Sequence, residues 1–351
     1  MKILPEDIKN SLSIGKVLTF LSEKKVPIHK HTLWYLFGGL SLFLIGIQFI
    51  SGMLLLVYYS PTPGSAYESV VYITTKAQFG WFLRGLHHWS ANFLIVVVLI
   101  HLASTFFMKA YRKPREFTWI SGVISLFILF GFCFTGSLLP WDTTAYFATQ
   151  IGTEIPRSIP VIGNFLTHLL RGSEFIGEES LKRFSALHVS ILPMVLLMVT
   201  FIHLILNQIH GTSTPITTRE NSQTIPFYPS FLYRDVLSWT IAAILLVWVC
   251  LIFPLIPGIK ADPYSSAPVG IKPEWYFLPF YETLRLFPST IFSLNGEIIV
   301  NMIVGLFGLV LLLVPFIDRK AAVGEVSRVP GFIGGTILCY FLISILLAYT
   351  T

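Results

Sequence analysis

Seven long apolar stretches set the main constraint on how this chain can fold. They lie at about 33–58, 80–108, 117–139, 184–207, 236–256, 298–317 and 331–350. A helix needs about 20 apolar residues to cross a hydrocarbon core about 30 Å thick, and each stretch reaches that length. Hydrophobic residues make up 54% of the chain and charged residues only 12%, as in bundles that are solvated by lipid. The sequence therefore predicts an all-α integral membrane protein with about seven transmembrane helices.

The Lys and Arg residues are distributed unevenly between the two sides of such a bundle. Fifteen lie in the N-terminal segment and in the loops after the second, fourth and sixth spans, and eight lie in the other loops. Cytoplasmic loops carry the excess of these residues, so the N-terminus is expected on the cytoplasmic, electrically negative side. Residues 1–32 are charged and amphipathic, which predicts a segment on the membrane surface. The net charge of +6 could indicate a nucleic-acid partner, but the chain has no basic run interleaved with aromatic residues. The positive excess is therefore interpreted as part of the same orientation signal.

Four histidines lie in two pairs within two of the spans. His87 and His101 are 14 residues apart in the second span, and His188 and His203 are 15 apart in the fourth. At 1.5 Å per residue these separations are about 21–22 Å, which puts one histidine near each side of the core. The two spans run in the same direction, so His87 is expected to face His188, and His101 to face His203. A lone histidine in a span is often an interhelical hydrogen-bonding group. Four in register favour two stacked metal centres that carry electrons across the membrane.

Glycines in the neighbouring spans repeat the 14-residue separation of the first histidine pair. They are Gly38 and Gly52 in the first span and Gly122 and Gly136 in the third. Glycine lacks a Cβ, so a flat macrocycle can approach the backbone at these levels. Ordinary helix packing through small residues is the alternative, but the matched spacing favours haem held by a bundle of the first four helices. Arg84 and Arg115 are candidates for pairing with haem propionates, although snorkelling explains Arg115 nearly as well.

Two long loops are predicted on the positive side, at about 140–183 and 257–297. Proline and glycine punctuation in the first loop predicts short helices that lie along the membrane surface. The second loop contains Pro273, Glu274, Trp275 and Tyr276. A glutamate between a proline and two aromatic residues can sit at the rim of an apolar pocket and accept a proton from a bound hydroxyl ring. An interfacial aromatic belt is the alternative interpretation.

At this point the residues from about 25 to 320 resemble cytochrome b of the cytochrome bc complexes, and most closely its b6 branch. The matching phrases are FGWFLRGLHHWSA, KPREFTW, TGSLLPWD, IPVIGNFL, RFSALH, PEWYFLPFYETLR and VPFIDR. In the b6 branch the first four helices and the last three are commonly two separate chains. Here a di-haem part at 33–210 is expected to be fused to a subunit IV-like part at 211–351. The 15-residue histidine spacing also resembles the b6 branch.

The resemblance implies two non-covalent haem b groups, ligated by His87 with His188 and by His101 with His203. It implies a positive-side quinol oxidation site formed by the two long loops, Pro273–Tyr276 and a mobile Rieske 2Fe–2S protein. One electron would pass to that protein, and the other through the haems to a negative-side quinone, coupled to proton translocation. Other implied partners are a c-type cytochrome and a second copy of the complex. The expected location is the bacterial plasma membrane, ahead of a thylakoid-type membrane.

Three positions bear on what the resemblance implies for the negative side of the membrane. Leu36 stands where chains of the b6 branch carry a cysteine for an additional covalent haem, so no haem attached there is expected; a non-covalent one stays open. Gln208 stands where the long-form family has a quinone-site histidine. Asp235 matches a carboxylate with which family members protonate bound quinone.

Two other classes of protein share part of this pattern. One is a bis-histidine di-haem membrane anchor of another quinone-linked oxidoreductase, which has no need of the PEWY motif or of seven spans. The other is a transporter whose histidines relay protons, a class that predicts interrupted helices and inverted repeats. The sequence shows no convincing internal repeat, so both are kept as alternatives behind the cytochrome b interpretation.

Overall fold

The computed structural model of the chain describes residues 19, 21–216, 223–291, 293–326 and 328–350. Within these ranges, seven helices are long and apolar enough to cross a membrane, which confirms the predicted fold class. The predicted surface segment at 1–32 lies outside the described residues for most of its length. Its last part is described, and residues Lys25–Ile28 form a strand.

Along the chain, long helices alternate with shorter helices and short strands that connect them. The long helices are α1 (Leu36–Leu56), α3 (Gly80–Phe107), α4 (Glu116–Leu138), α8 (Leu192–His210), α9 (Leu232–Ile252), α11 (Gly296–Ile317) and α13 (Val329–Thr350). The shorter helices are α2 (Ala66–Thr75), α5 (Thr143–Arg157), α6 (Gly163–Arg171), α7 (Glu178–Ala186), α10 (Leu278–Leu286) and α12 (Arg319–Ala322). The strands are β1 (Lys25–Ile28), β2 (Gln223–Pro226), β3 (Thr290–Ile291) and β4 (Leu294–Asn295).

The first four spans pack in two close pairs, α1 against α3 and α4 against α8. Their shared core contains Leu44, Leu94, Leu129 and Leu196, and Leu246 from α9 joins it. Lipid chains are as apolar as leucine, so van der Waals packing and interhelical hydrogen bonds hold such helices together rather than exclusion of water. This explains why small residues occur at the contacts and why many large apolar side chains face outward.

The two ends of the bundle are closed by contacts between distant parts of the sequence. On the side where α8 ends, β1 pairs with β2 in an antiparallel sheet. There Lys109 and Asp318 form a buried ion pair of 2.9 Å, and the Tyr111 hydroxyl donates to the same carboxylate at 2.8 Å. Burial alone would raise the pKa of Asp318, but hydrogen bonds from Lys109, Tyr111 and a backbone N–H outweigh it and hold that pKa below its usual range. The pair ties the α3–α4 loop to the end of α11.

On the opposite side the two long loops meet, and the first loop contains the predicted short helices α5 and α6. The Asp142 carboxylate caps α5 by accepting from the Ala145 N–H at 2.9 Å. Backbone bonds from Thr143 to Ile259 and from Ala261 to Trp141 join the loops at 2.8 and 3.1 Å. One cap of protein therefore covers this end of the bundle, with the PEWY motif in its second loop.

Candidate functional site: paired histidines and a capping loop

The four histidines face one another in the pairs that the sequence predicts. The ring centroids of His87 and His188 are 6.3 Å apart, and His101 lies close enough to His203 for their charges to interact. Two imidazole rings that bind one metal ion from opposite sides, with metal–nitrogen bonds of about 2 Å, have centroids about 6 Å apart. The first pair therefore has room for a single metal ion between its rings.

A π-helical turn at Leu187–Ile191 accounts for the unequal histidine spacing. His188 lies in this turn, which connects α7 to α8, and the Leu192 N–H bonds to the Leu187 carbonyl five residues back. A π turn accommodates one residue more than an α-helical turn. The 15 residues from His188 to His203 therefore match the 14 regular residues from His87 to His101, and both pairs face across the bundle.

Each of the four predicted glycines lies against the ring of one histidine. A Cβ atom placed on each glycine would meet a ring carbon, Cε1, at 3.3 Å for Gly38 and His101, 3.2 Å for Gly52 and His87, 3.1 Å for Gly122 and His203, and 2.7 Å for Gly136 and His188. Side chains at these positions would crowd the rings and the space beside them. The missing Cβ atoms leave a cradle at two levels in which each ring lies against the backbone of the facing helix, the close approach that a flat macrocycle between two imidazoles also needs.

Hydroxyl groups fix the orientation of three of the four rings. The contacts join Ser51 Oγ to His87 Nδ1 at 2.9 Å, Ser121 Oγ to His203 Nδ1 at 3.0 Å, and Thr135 Oγ1 to His188 Nδ1 at 3.2 Å. Each hydroxyl also donates its proton to a backbone carbonyl of its own helix, at 2.6 to 3.0 Å. Because that proton is used, the hydroxyl oxygen accepts from Nδ1, and the lone pair of Nε2 stays free for a metal.

His101 differs from the other three rings, since its Nδ1 is buried and has no hydrogen-bond partner among the residues that the structure describes. The residue before Gly38 is Phe37, whereas the other three glycines follow Ser51, Ser121 and Thr135. The two levels of the bundle are therefore built differently: two hydroxyls serve one level, and one serves the other.

The two predicted arginines make protein contacts. The Arg84 guanidinium donates to Thr74 Oγ1 at 3.1 Å and to the Leu255 carbonyl at 3.4 Å. Arg115 donates to the His210 and Gly211 carbonyls at 2.8 and 3.2 Å, at the end of α8. Both side chains tie loops to helix ends, and their pairing with propionates stays a prediction.

The PEWY motif is attached to two helices of the bundle. The Trp275 indole N–H donates to Asn92 Oδ1 on α3 at 2.8 Å. Tyr276 packs against Phe130 on α4, and its hydroxyl lies near Cys133 on the same helix. Glu274 directly precedes these two residues in the chain. The residue is solvent-exposed overall, and the protein around its carboxyl desolvates that group enough to raise its pKa.

At the other end of the bundle, Asp235 lies against α1, where a Cβ on Gly39 would meet its Oδ1 at 2.9 Å. This oxygen is buried and has no hydrogen-bond partner within the described part of the chain. Lys24 is near enough to interact with the carboxylate, which partly offsets the lowering of the lysine pKa by burial. Gln208 is exposed on α8.

Comparisons with known proteins identify the family of the chain. The family model described as cytochrome b/b6/petB matches residues 21–211, and that described as cytochrome b (C-terminal)/b6/petD matches residues 260–350. The cytochrome bc complex cytochrome b subunit of Chlorobaculum thiosulfatiphilum is 44% identical over 334 residues, which cover 94% of this chain and 77% of that protein. The chain belongs to the cytochrome b family.

One further relative and one solved structure show how far the similarity of this cytochrome b extends in sequence and in fold. The menaquinol:cytochrome c reductase cytochrome b subunit of Geobacillus thermodenitrificans is 43% identical over 216 residues, or 60% of this chain and 96% of that one. A chain of a hyperthermophilic respiratory Complex III has the same fold, with a TM-score of 0.81, 24% identity and 99% of both chains covered. This cytochrome b is thus a membrane-integral, haem-binding subunit of a bc- or b6f-type quinol oxidoreductase complex, and the anchor and transporter alternatives are set aside.

Sequence reasoning about this cytochrome b missed the hydroxyls and Asn92. A signal for the hydroxyls was present, because Ser51, Ser121 and Thr135 each directly precede one of the paired glycines. Asn92 gave no comparable signal, since its partner Trp275 is 183 residues away in the chain.

Proposed function

We propose that the two histidine pairs of this cytochrome b hold two non-covalent haem b groups, one near each side of the membrane. A haem at each level would supply a reversible one-electron carrier, and the two together would connect the sides of the bundle. The observation that carries this proposal is that four glycines on α1 and α4 each face one of the four histidine rings on α3 and the α7–α8 segment.

The chain's own residues would prepare three of the four rings for binding a metal. Ser51, Thr135 and Ser121 accept from Nδ1 and so direct the unprotonated Nε2 away from the hydroxyls. Such partners of a ligating histidine fix its tautomer and raise its basicity. The core that the four spans share is apolar.

A quinol would be oxidised under the positive-side cap, in the space bounded by the PEWY motif and the first long loop. Pro273 and Trp275 shape the wall, and Tyr276 is held on α4. The Glu274 carboxylate accepts a proton from a quinol hydroxyl and passes it to the solvent that reaches it. Desolvation raises the pKa of Glu274, which brings it nearer to the range that suits a proton carrier at neutral pH.

A quinone would be reduced on the negative side, near Asp235. The buried Asp235 carboxyl can deliver a proton to a quinone oxygen. The Lys24 ammonium can then balance the negative charge that remains on the carboxylate. Gln208 is a second polar candidate, near the end of α8 on the same side of the bundle. The distribution of Lys and Arg supports a negative side that carries the N-terminus, most simply the cytoplasmic face of a bacterial plasma membrane.

The protein partners belong to the same proposal. A Rieske 2Fe–2S protein docks at the positive-side cap and takes the first electron from quinol, and a c-type cytochrome takes that electron onward. The complex works as a dimer. Support comes from the family of the chain and from relatives that are named as subunits of a cytochrome bc complex and of a menaquinol:cytochrome c reductase.

Haem analysis of the purified complex tests the proposal. We expect two haem b groups per chain, both extractable with acidified acetone. A variant in which His203 is replaced by leucine should retain one. One haem in the native chain, or a haem that resists extraction and is assigned to this chain, would contradict the proposal. The Gly46→Ala variant, on α1 with nothing within 4 Å of the added Cβ, controls for general damage and should retain both.

A further inference from the structure

The Asn92 side chain connects helix α3 to the PEWY motif through hydrogen bonds at both ends of its amide. It lies on α3 one turn after His88, and its Nδ2 donates to the His88 carbonyl at 3.0 Å. The same nitrogen lies 3.5 Å from His88 Nε2. Its Oδ1 accepts from the Trp275 indole at 2.8 Å.

This arrangement allows only one orientation of the Asn92 amide. A backbone carbonyl only accepts, so the amide NH₂ must point to His88. An indole N–H only donates, so the amide oxygen must point to Trp275. The side chain is therefore a fixed link between a helix that carries two of the paired histidines and the loop that carries Glu274.

The hydrogen bond between Asn92 and Trp275 lies directly beside Glu274, the proposed proton acceptor. Trp275 and Tyr276 are attached to different helices, α3 through Asn92 and α4 through Phe130 and Cys133. Glu274 directly precedes Trp275 in the chain. Its backbone carbonyl accepts from the Phe277 N–H at 2.8 Å, and its side chain makes no hydrogen bond or ion pair with the described residues. Its location is thus set by where Trp275 is held.

We infer that Asn92 is a positioning residue for quinol oxidation, which holds Trp275 so that Glu274 faces the quinol hydroxyl. This inference rests on the proposed positive-side quinol site and names a residue that acts on it from the helix bundle. Asn92 makes no contact with the substrate in this account. It sets the distance over which Glu274 takes the proton, and therefore the rate of the proton-coupled step rather than the binding of quinol.

The test uses the purified complex with duroquinol and menadiol as soluble quinol probes, and stopped-flow absorbance to follow cytochrome reduction. Asn92→Leu leaves the indole N–H without its acceptor, and Trp275→Phe removes the donor. Each single variant should lower kcat about tenfold, the size expected when one positioned hydrogen bond is lost, with KM changed less than twofold. The double variant should be no worse than either single variant, since both partners of one contact are gone.

The pH profile separates positioning from simple damage. The rate should rise with pH as Glu274 loses its proton, and this acid limb should shift in Asn92→Leu while haem content and midpoint potentials stay as in the native complex. The titratable groups that interact with Glu274 are the Cys133 thiol and the Tyr276 phenol. Groups of these types titrate at about 8.5 and 10, well above that limb.

The matched control is Trp119→Phe, which removes an indole hydrogen bond of 2.8 Å to the Leu311 carbonyl far from the PEWY motif. It should leave kcat and the acid limb unchanged. Native kcat in Asn92→Leu, or an equal loss in Trp119→Phe, would overturn the inference. Glu274→Gln distinguishes a failure of the Asn92 inference from a failure of the proposed quinol site. If it lowers kcat and Asn92→Leu does not, only the role of Asn92 fails; if it leaves kcat native, the proposed quinol site fails.

Discussion

Replacing Gly136 by alanine tests the haem cradle at the level where the structure leaves least room. A Cβ at this position would lie 2.7 Å from Cε1 of His188, 3.1 Å from Nδ1 and 3.4 Å from Nε2. The ring cannot simply turn aside, because its Nδ1 is held by Thr135 at 3.2 Å and by the Phe132 carbonyl at 3.1 Å. Overpacking of this kind costs about 1–3 kcal/mol, or about 5- to 150-fold in haem affinity at this level.

The other glycines should follow the space that the structure gives them. Their Cβ distances of 3.1 to 3.3 Å predict smaller losses, in the order Gly136, then Gly122 and Gly52, then Gly38. Gly46 is the matched control, because it lies on α1 with nothing within 4 Å of its Cβ position. Alanine there should leave haem content native and stabilise the helix by up to about 1 kcal/mol.

The assay is haem content per chain, combined with a redox titration that resolves the two components. Gly136→Ala and Gly52→Ala should affect the component on the PEWY side, and Gly122→Ala and Gly38→Ala the other one. Native haem content in Gly136→Ala, or equal losses in Gly136→Ala and Gly46→Ala, would refute the reasoning from Cβ contacts.

Two further predictions concern the polar contacts that surround this framework. Ser121→Ala removes the acceptor of His203 Nδ1, which makes the imidazole a weaker donor to an oxidised metal; a lost hydrogen bond of about 1 kcal/mol should raise one midpoint potential by at most about 40 mV. A redox titration measures this shift, and a downward shift would show that the hydroxyl does not accept. Asp318→Asn breaks the buried pair with Lys109 and should destabilise the chain by about 3–5 kcal/mol. The pKa of Asp318 is lowered in the folded chain, so the native pair contributes fully above about pH 4 and its contribution is lost as the pH falls through the lowered value. Thermal unfolding of the detergent-solubilised complex checks this, and native stability in Asp318→Asn would contradict it.

The spans, the histidine pairing and the glycines were accessible from the sequence because each rests on a regular period along one helix. The sequence could not show the π turn at Leu187–Ile191, since only the backbone reveals where the extra residue of the 15-residue spacing is placed. The strand Lys25–Ile28 was also missed, because its partner Gln223–Pro226 lies nearly 200 residues away. From the sequence, Arg84 and Arg115 were predicted to pair with haem propionates. Their hydrogen bonds to the carbonyls of Leu255 and His210 were not predicted.

For the PEWY loop too, the local sequence pattern was predictable and the long-range contacts were not. Its residues stood out by composition, and the resemblance to cytochrome b gave them an expected role. Which helices hold them depended on contacts over more than a hundred residues, through Asn92 and Phe130. The division of the chain at residues 210 and 211 stays a prediction.

The pairing of the histidines is the central claim, and potentiometric titration of four single variants tests it most directly. His87→Leu and His188→Leu should each abolish the same redox component, and His101→Leu and His203→Leu should each abolish the other. The account would be contradicted if His87→Leu removed the component that His203→Leu removes, or if any of the four left both components at their native potentials.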